Sequence, residues 1–337
     1  MIKIQAGFLM LYVIFVDPTN LNMLDEKNFF WKNWRLGTEL QVSGSFIYNG
    51  LFTLDKMESL YYEEECFELL YNLSVGLERL MKIAVILLEH DQIISQDEFE
   101  KTLITHNHFD LLNRIKMKNK FVMGKTHNKF LKLLDNFYKS IRYERYNIQS
   151  VYKPSQDKTQ LVKFIKEELK IEFSSDFGKA DLLTKQIRKF IGKVVGKFTT
   201  QLYEIVRKEA HRIGTYTYEV TYNSKAFKIY LAKEFDFEKE KLTQREVMLF
   251  LLKTKRSEEF QAYLNGIEHI NFEQNHTNKY IESIFNFNID RQIISELEFI
   301  YEEDKIDYIR TKYLEILGTD ADIEYNPSED DIEMTHD

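Results

Sequence analysis

Between Tyr61 and His90 the apolar residues Cys66, Leu70, Leu73, Leu77, Leu80, Ala84 and Leu87 recur in alternating steps of four and three. That spacing predicts an α-helix with an apolar seam along its length. Phe67, Val75, Met81, Ile83 and Leu88 widen the seam until most of the circumference is apolar, so the helix belongs at the centre of a bundle. Glu78, Arg79 and Lys82 interrupt this surface, and a charge in such a setting needs a partner or a polar cavity.

The same reading places a first helix over Leu36–Met57, with Leu36, Leu40, Ile47, Leu51 and Leu54 on one face and Gly44 and Gly50 weakening its middle. The short turn before Tyr61 makes the two helices antiparallel. A third helix starts at the capping box Ser95-Gln96-Asp97-Glu98 and runs through Leu112. A basic loop follows at Lys116–Lys125, and a fourth helix covers His127–Tyr146 with Phe130, Leu134, Phe137 and Ile141 at helical spacing. The fold class is therefore mainly α, with an antiparallel four-helix bundle over residues 36–150. Residues 1–35 form a lead-in. Within it the run Gly7–Val16 is a buried strand or short helix ended by Asp17-Pro18; Lys3 ahead of it gives the outline of a secretory signal peptide as the alternative, though no Ala-x-Ala-like cleavage site follows, and Asn20–Trp34 is irregular.

Pro154 and Ser155 mark a linker, which places a C-terminal helical domain over residues 151–318 with at most a small β element. Its clearest helix is Thr184–Val206, where Ile187, Phe190, Ile191, Val194, Val195, Phe198, Leu202 and Ile205 share a face. The alternation of Gly214–Tyr222 predicts the β element. A capping box at Thr243-Gln244-Arg245-Glu246 opens a further helix, and Asp290–Leu317 is the longest of those that follow. Residues 319–337 hold eight Asp or Glu and no Lys or Arg, the composition of a disordered tail.

Composition narrows the class. Three prolines and twelve glycines in 337 residues leave little punctuation, as expected of long helices joined by short turns. A net charge of −8 argues against a protein that coats nucleic acid indiscriminately. The one cysteine, Cys66, sits on the apolar seam, which excludes an intrachain disulfide and a cysteine zinc site and fits a cytoplasmic setting. Gly7–Val16 is too short to span a bilayer, which takes about 20 apolar residues. The glycine loops of nucleotide-binding folds, the nucleophile elbow and His-Glu-x-x-His are all missing, so nothing calls for a cofactor or a metal.

What remains is a set of His, Arg and Tyr residues on the inner helices: His106 and His108 on the third, and Arg142, Tyr143, Arg145 and Tyr146 at the end of the fourth. The order Gly76-Leu77-Glu78-Arg79-Leu80-Met81-Lys82, His106-Asn107-His108-Phe109-Asp110-Leu111-Leu112, then Phe137-Tyr138-x4-Tyr143-x-Arg145-Tyr146 resembles the HEPN superfamily of helical-bundle domains. The resemblance spans residues 36–150 and is a pattern of spaced residues. It implies a four-helix bundle that dimerises and acts on RNA or nucleotides, often in bacterial anti-phage defence or toxin–antitoxin systems with a partner encoded nearby. Many members cleave RNA with an Arg-x4-6-His motif, which this chain lacks; Arg207-Lys208-Glu209-Ala210-His211 is one residue too short and lies outside the bundle.

A metal-independent ribonuclease needs a base for the 2′-hydroxyl, an acid for the leaving oxygen and cations for the phosphorane. His106 or His108 is the candidate proton shuttle, Arg142 and Arg145 are the candidate phosphate ligands with Tyr146 beside them, and Glu78, Arg79 and Lys82 form the wall of the cleft. The competing reading is a bundle that binds RNA or a partner without cutting, in which His108 bridges helices and Arg142 and Arg145 cover the bundle mouth. Lys185, Arg188, Lys189, Lys193 and Lys197, on the polar face of the Thr184–Val206 helix, form a candidate RNA track. Ordinary solvation accounts for such a face as well.

Overall fold

The computed structural model describes residues 23–89, 95–152, 155–171, 183–253, 258–286, 289–306, 310–315 and 317; Gly7–Val16, Pro154 and the acidic tail lie outside them. Among the described residues the chain is helical with no strand. Two compact units are present, one ending at Phe237 and the other beginning at Glu238. Residues on both sides of position 150 belong to the first unit and share its central helix as their neighbour.

Helix α1 (Met23–Phe30) passes through a π-helical stretch, Trp31–Arg35, into α2 (Leu36–Lys56). The expected irregular lead-in is thus helical from Met23. No proline or glycine interrupts the chain between Met23 and Leu36, and Trp31 packs on the core. After a short turn, α3 (Glu63–Glu89) runs back along α2: Gly50 lies beside Leu73, Gly76 beside Ile47, and Glu39 pairs with Arg79. Glycine permits this close approach, because a Cβ on Gly76 would lie 2.6 Å from Ile47 Cγ1 and 2.9 Å from its backbone nitrogen.

Around α3 pack α2, α5 (His108–Lys118), α6 (Lys125–Asn136), α7 (Gln156–Leu169) and α8 (Lys185–Arg212), with α9 (Lys225–Tyr230) laid on α2 and α8. The buried residues of α3 cover most of its circumference, as its wide seam predicts, and Glu78 is the one charged residue among them. Burial pushes the Cys66 thiol up to about 12, so it stays protonated in the core.

The third predicted helix is two: α4 (Gln96–Leu103) and α5. Ser95 caps α4 as its motif predicts, with its hydroxyl accepting from the Glu98 amide. The break follows from Asn107, whose side-chain oxygen accepts from the Phe109 and Asp110 amides and starts a new helix. The fourth predicted helix begins at Lys125, changes to a π-helix over Phe137–Ile141 and ends in the turn Arg142–Glu144. In the π stretch the Arg142 amide donates to the Phe137 carbonyl five residues back, and the Ser140 hydroxyl donates to the Asn136 carbonyl.

The Gly214–Tyr222 segment forms turns. Gly214, at φ +73°, ends α8, and the Thr215 amide reaches back to the Ala210 carbonyl. The Val220, Thr221 and Ser224 amides then find carbonyls two or three residues back, which uses up the donors a strand would offer to a neighbour.

The second unit comprises helices Glu238–Lys253, Glu258–Asn265, Thr277–Asn286, Arg291–Glu303 and Arg310–Leu314. The helix expected to open at Thr243 already starts at Glu238, whose first-turn acids Glu238 and Glu240 suit the positive helix end. The one expected over Asp290–Leu317 ends at Glu303; Lys305 takes a positive φ of 53° and the Ile306 amide returns to the Tyr301 carbonyl.

Candidate functional site

The charge on the central helix decides where a site can be. Glu78 is 5% exposed, and Lys82, one turn on, donates to its Oε1 from 2.7 Å. The His106 Nδ1 lies 3.1 and 3.3 Å from the two Glu78 oxygens, brought there by the irregular residues between α4 and α5. The His106 side chain is 54% exposed, and its Nε2 has no hydrogen-bond partner among the described residues. A carboxylate that holds one ring nitrogen fixes the orientation of the imidazole and leaves the other nitrogen for chemistry.

Tyr138 joins this pair to the cations. It sits in the π stretch, buried, with His106 edge-on to its ring at 5.0 Å and the Arg142 guanidinium 3.8 Å from its centroid. Burial and the Glu78 carboxylate push the Tyr138 phenol above its usual range, with Arg142 opposing, so the phenol keeps its proton at neutral pH. Arg142 is sandwiched against Tyr143 at 4.6 Å, and its Nε is a buried donor with no acceptor among the described residues. An unpaired guanidinium donor on a cation-π platform is suited to an anion. A single π-turn inside an α-helix is often found at functional sites.

The other candidates are drawn elsewhere. His108 is fully buried: its Nε2 donates to the Ser74 carbonyl at 3.0 Å, its amide donates to Asp135 Oδ1 at 2.9 Å, and Nδ1 lies 3.5 Å from that carboxylate. It ties α5 to α3 and α6 and has no path to a substrate. Arg145 pairs with Glu63 at 3.2 Å and with Asp157 at 3.0 Å, donates to Ser155, and lies over Phe67. It fastens the start of α7 to the start of α3. Tyr146 is 88% exposed. Arg79 turns to α2, paired with Glu39 and over the Phe46 ring. Arg188 caps the end of α2 by donating to the Leu54 and Met57 carbonyls, whereas Lys185, Lys189, Lys193 and Lys197 stay on the exposed face of α8.

The structure therefore brings Glu78, Lys82, His106 and Arg142 together and leaves His108, Arg145, Tyr146 and Arg79 out. Sequence reasoning passed over Tyr138 as a site residue, although its Tyr138-x3-Arg142 spacing on a helix predicts the stacking. It also passed over Asp135, whose role appears only when α6 faces α5.

Burial would raise the Asp135 carboxyl, but hydrogen bonds from His108 and from Lys139 at 2.9 Å hold it below the usual carboxylate range. Because its folded pKa is depressed, its contribution to stability is present above the unfolded pKa near 4 and is lost as pH falls through the folded value. The difference in unfolding free energy between wild type and Asp135→Asn, measured in urea, should shrink as pH drops from about 6 to about 3. A difference independent of pH would mean that the ionised carboxylate is not what the wild type relies on.

Among the described residues no group of three or more His, Cys, Asp and Glu is placed to hold a metal ion, and no helix is long and apolar enough to cross a membrane. Comparison with protein-family models, curated proteins and solved structures finds no match for this chain.

Proposed function

We propose that this chain is an RNA-targeting protein on a HEPN-like four-helix bundle, which cleaves RNA by metal-independent transesterification in the manner of bacterial defence and toxin systems. The observation that carries the reading is the His106–Glu78 pair, with a half-exposed imidazole set against the Tyr138–Arg142 stack. His106 Nε2 takes the proton of a 2′-hydroxyl, and the freed oxygen attacks the adjacent phosphorus. The phosphorus–5′-oxygen bond breaks to leave a 2′,3′-cyclic phosphate. The 5′-oxygen takes a proton from water, and the resulting hydroxide recovers the proton held by His106. The Arg142 guanidinium and the Lys82 ammonium offset the charge on the phosphorane. Glu78 orients His106 and is a positioning residue.

The competing reading, an RNA- or nucleotide-binding module without cleavage, is favoured by the structural employment of His108 and Arg145, which leaves, among the described residues, a single histidine in the cleft. Incubating the full chain with total RNA in EDTA separates the two. Cleavage by wild type that slows roughly 10²-fold in Glu78→Gln supports the nuclease. Intact RNA with wild type under all conditions leaves the binding module.

A further inference from the structure

The chain is acidic overall, yet two stretches contain no Asp or Glu: residues 111–134, with seven Lys or Arg, and residues 182–203, with five. They are far apart in sequence and adjacent in space. The Gln201 carboxamide clamps the loop before α6 to α8: the Val122 amide donates to Gln201 Oε1 at 3.0 Å and Gln201 Nε2 donates to the Val122 carbonyl at 3.0 Å. Phe121, His127 and Phe130 all pack on Phe198 of α8 behind this clamp. Lys197 is close enough to His127 to help burial hold that imidazole below its usual range.

Nine of the twelve basic side chains of these stretches divide into two kinds. Arg114 is paired with Glu89, Lys129 with Glu167 and Glu168, and Arg188 is turned inward to carbonyls. Lys116, Lys120 and Lys125 around the loop, and Lys189, Lys193 and Lys197 on α8, are exposed, and none has a carboxylate partner among the described residues. Lys189, Lys193 and Lys197 recur every fourth residue, so their stems rise along α8 in steps of about 6 Å. Mutual repulsion makes such a face costly unless an anion covers it.

We propose that this joined face, Lys189–Lys193–Lys197 continued by Lys116, Lys120 and Lys125, is a track for the phosphate backbone of single-stranded RNA. A line of separated, exposed ammonium groups suits a linear polymer with one charge per repeat; a small anion would call for converging, buried donors. The choice of RNA among polyanions rests on the cleavage reading above, whereas the track itself stands on charge and placement. Its electrostatic contacts add affinity without reading bases.

The test is fluorescence anisotropy of a labelled 2′-O-methyl RNA 20-mer, which lacks the 2′-hydroxyl and so cannot be cut by transesterification, against the full chain from 50 to 300 mM salt. The triple variant Lys189→Gln/Lys193→Gln/Lys197→Gln should bind at least about tenfold more weakly at low salt, and its slope of log affinity against log salt should be shallower by about 2. Lys116→Gln/Lys120→Gln should act in the same direction, and circular dichroism melts should match wild type. Unchanged affinity and slope in both variants would overturn the track, as would a wild type that ignores the RNA and binds anionic phosphatidylserine vesicles through these lysines. Lysine-dependent binding by a protein that cuts no RNA keeps the track and removes the nuclease; cleavage with lysine-independent binding does the reverse.

Discussion

The His106→Ala variant is expected to cut RNA in EDTA about 10²–10⁴-fold more slowly than wild type while unfolding at the same urea concentration. His106 is more than half exposed and its one polar partner among the described residues is Glu78, which keeps Lys82 when the imidazole goes. Little packing is lost, so the change falls on proton transfer. His108→Ala provides the contrast two residues away. Its ring is fully buried and bonds the Ser74 carbonyl, and truncation leaves a cavity and an unpaired acceptor in the core. A destabilisation of about 2–4 kcal/mol is expected, with cleavage per folded molecule preserved. Single-turnover cleavage at fixed folded fraction, beside urea titrations, reads both. Equal cleavage by His106→Ala and wild type would remove His106 from the mechanism.

Tyr230→Ala should destabilise the first unit by about 3–5 kcal/mol. Tyr230 is fully buried and stacks on Tyr203 of α8, with ring centroids 4.8 Å apart and planes 2° from parallel. Its hydroxyl is 2.8 Å from Ser43 Oγ on α2, and Ser43 donates in turn to the Gly76 carbonyl on α3 at 2.7 Å. One side chain thus joins α9 to three long helices, at a crossing where a Cβ on Gly44 would meet Ala226 Cβ at 2.5 Å. Tyr230→Phe keeps the stack and loses the hydroxyl, at a cost of about 1 kcal/mol. The shift in urea midpoint at constant slope measures both. A Tyr230→Ala midpoint equal to wild type would mean that α9 does not carry this junction.

The cost at Tyr230 illustrates a general difference in legibility. Helices α2 and α3 were readable to within a few residues because each buries a regular face, and burial leaves a period in the sequence. Capping was readable at Ser95, where the side chain bonds its own helix, and misleading at Thr243, which lies inside a helix that starts at Glu238. The split at Asn107 was missed because the same residue types serve as helix interior and as cap, and only the backbone geometry distinguishes them. Gly214 was read as the edge of a strand because alternating Tyr and Thr mimic one; a positive φ at the end of α8 decided otherwise.

For the site, the residue types were legible and their employment was not. His106 and His108 are two positions apart, Arg142 and Arg145 three, and each pair looks equivalent as a string. Packing separates them: one histidine faces solvent beside Glu78 and the other is sealed against Ser74, while one arginine keeps an unpaired donor and the other is consumed by Glu63 and Asp157. The central helix and the charge placed on it were determined by the sequence alone, because an apolar seam can bury in only one way and a buried carboxylate must find cations. Which partners it found, and the meeting of two acid-free stretches about 70 residues apart, were decided by the tertiary structure, because contacts across helices leave no period along the chain.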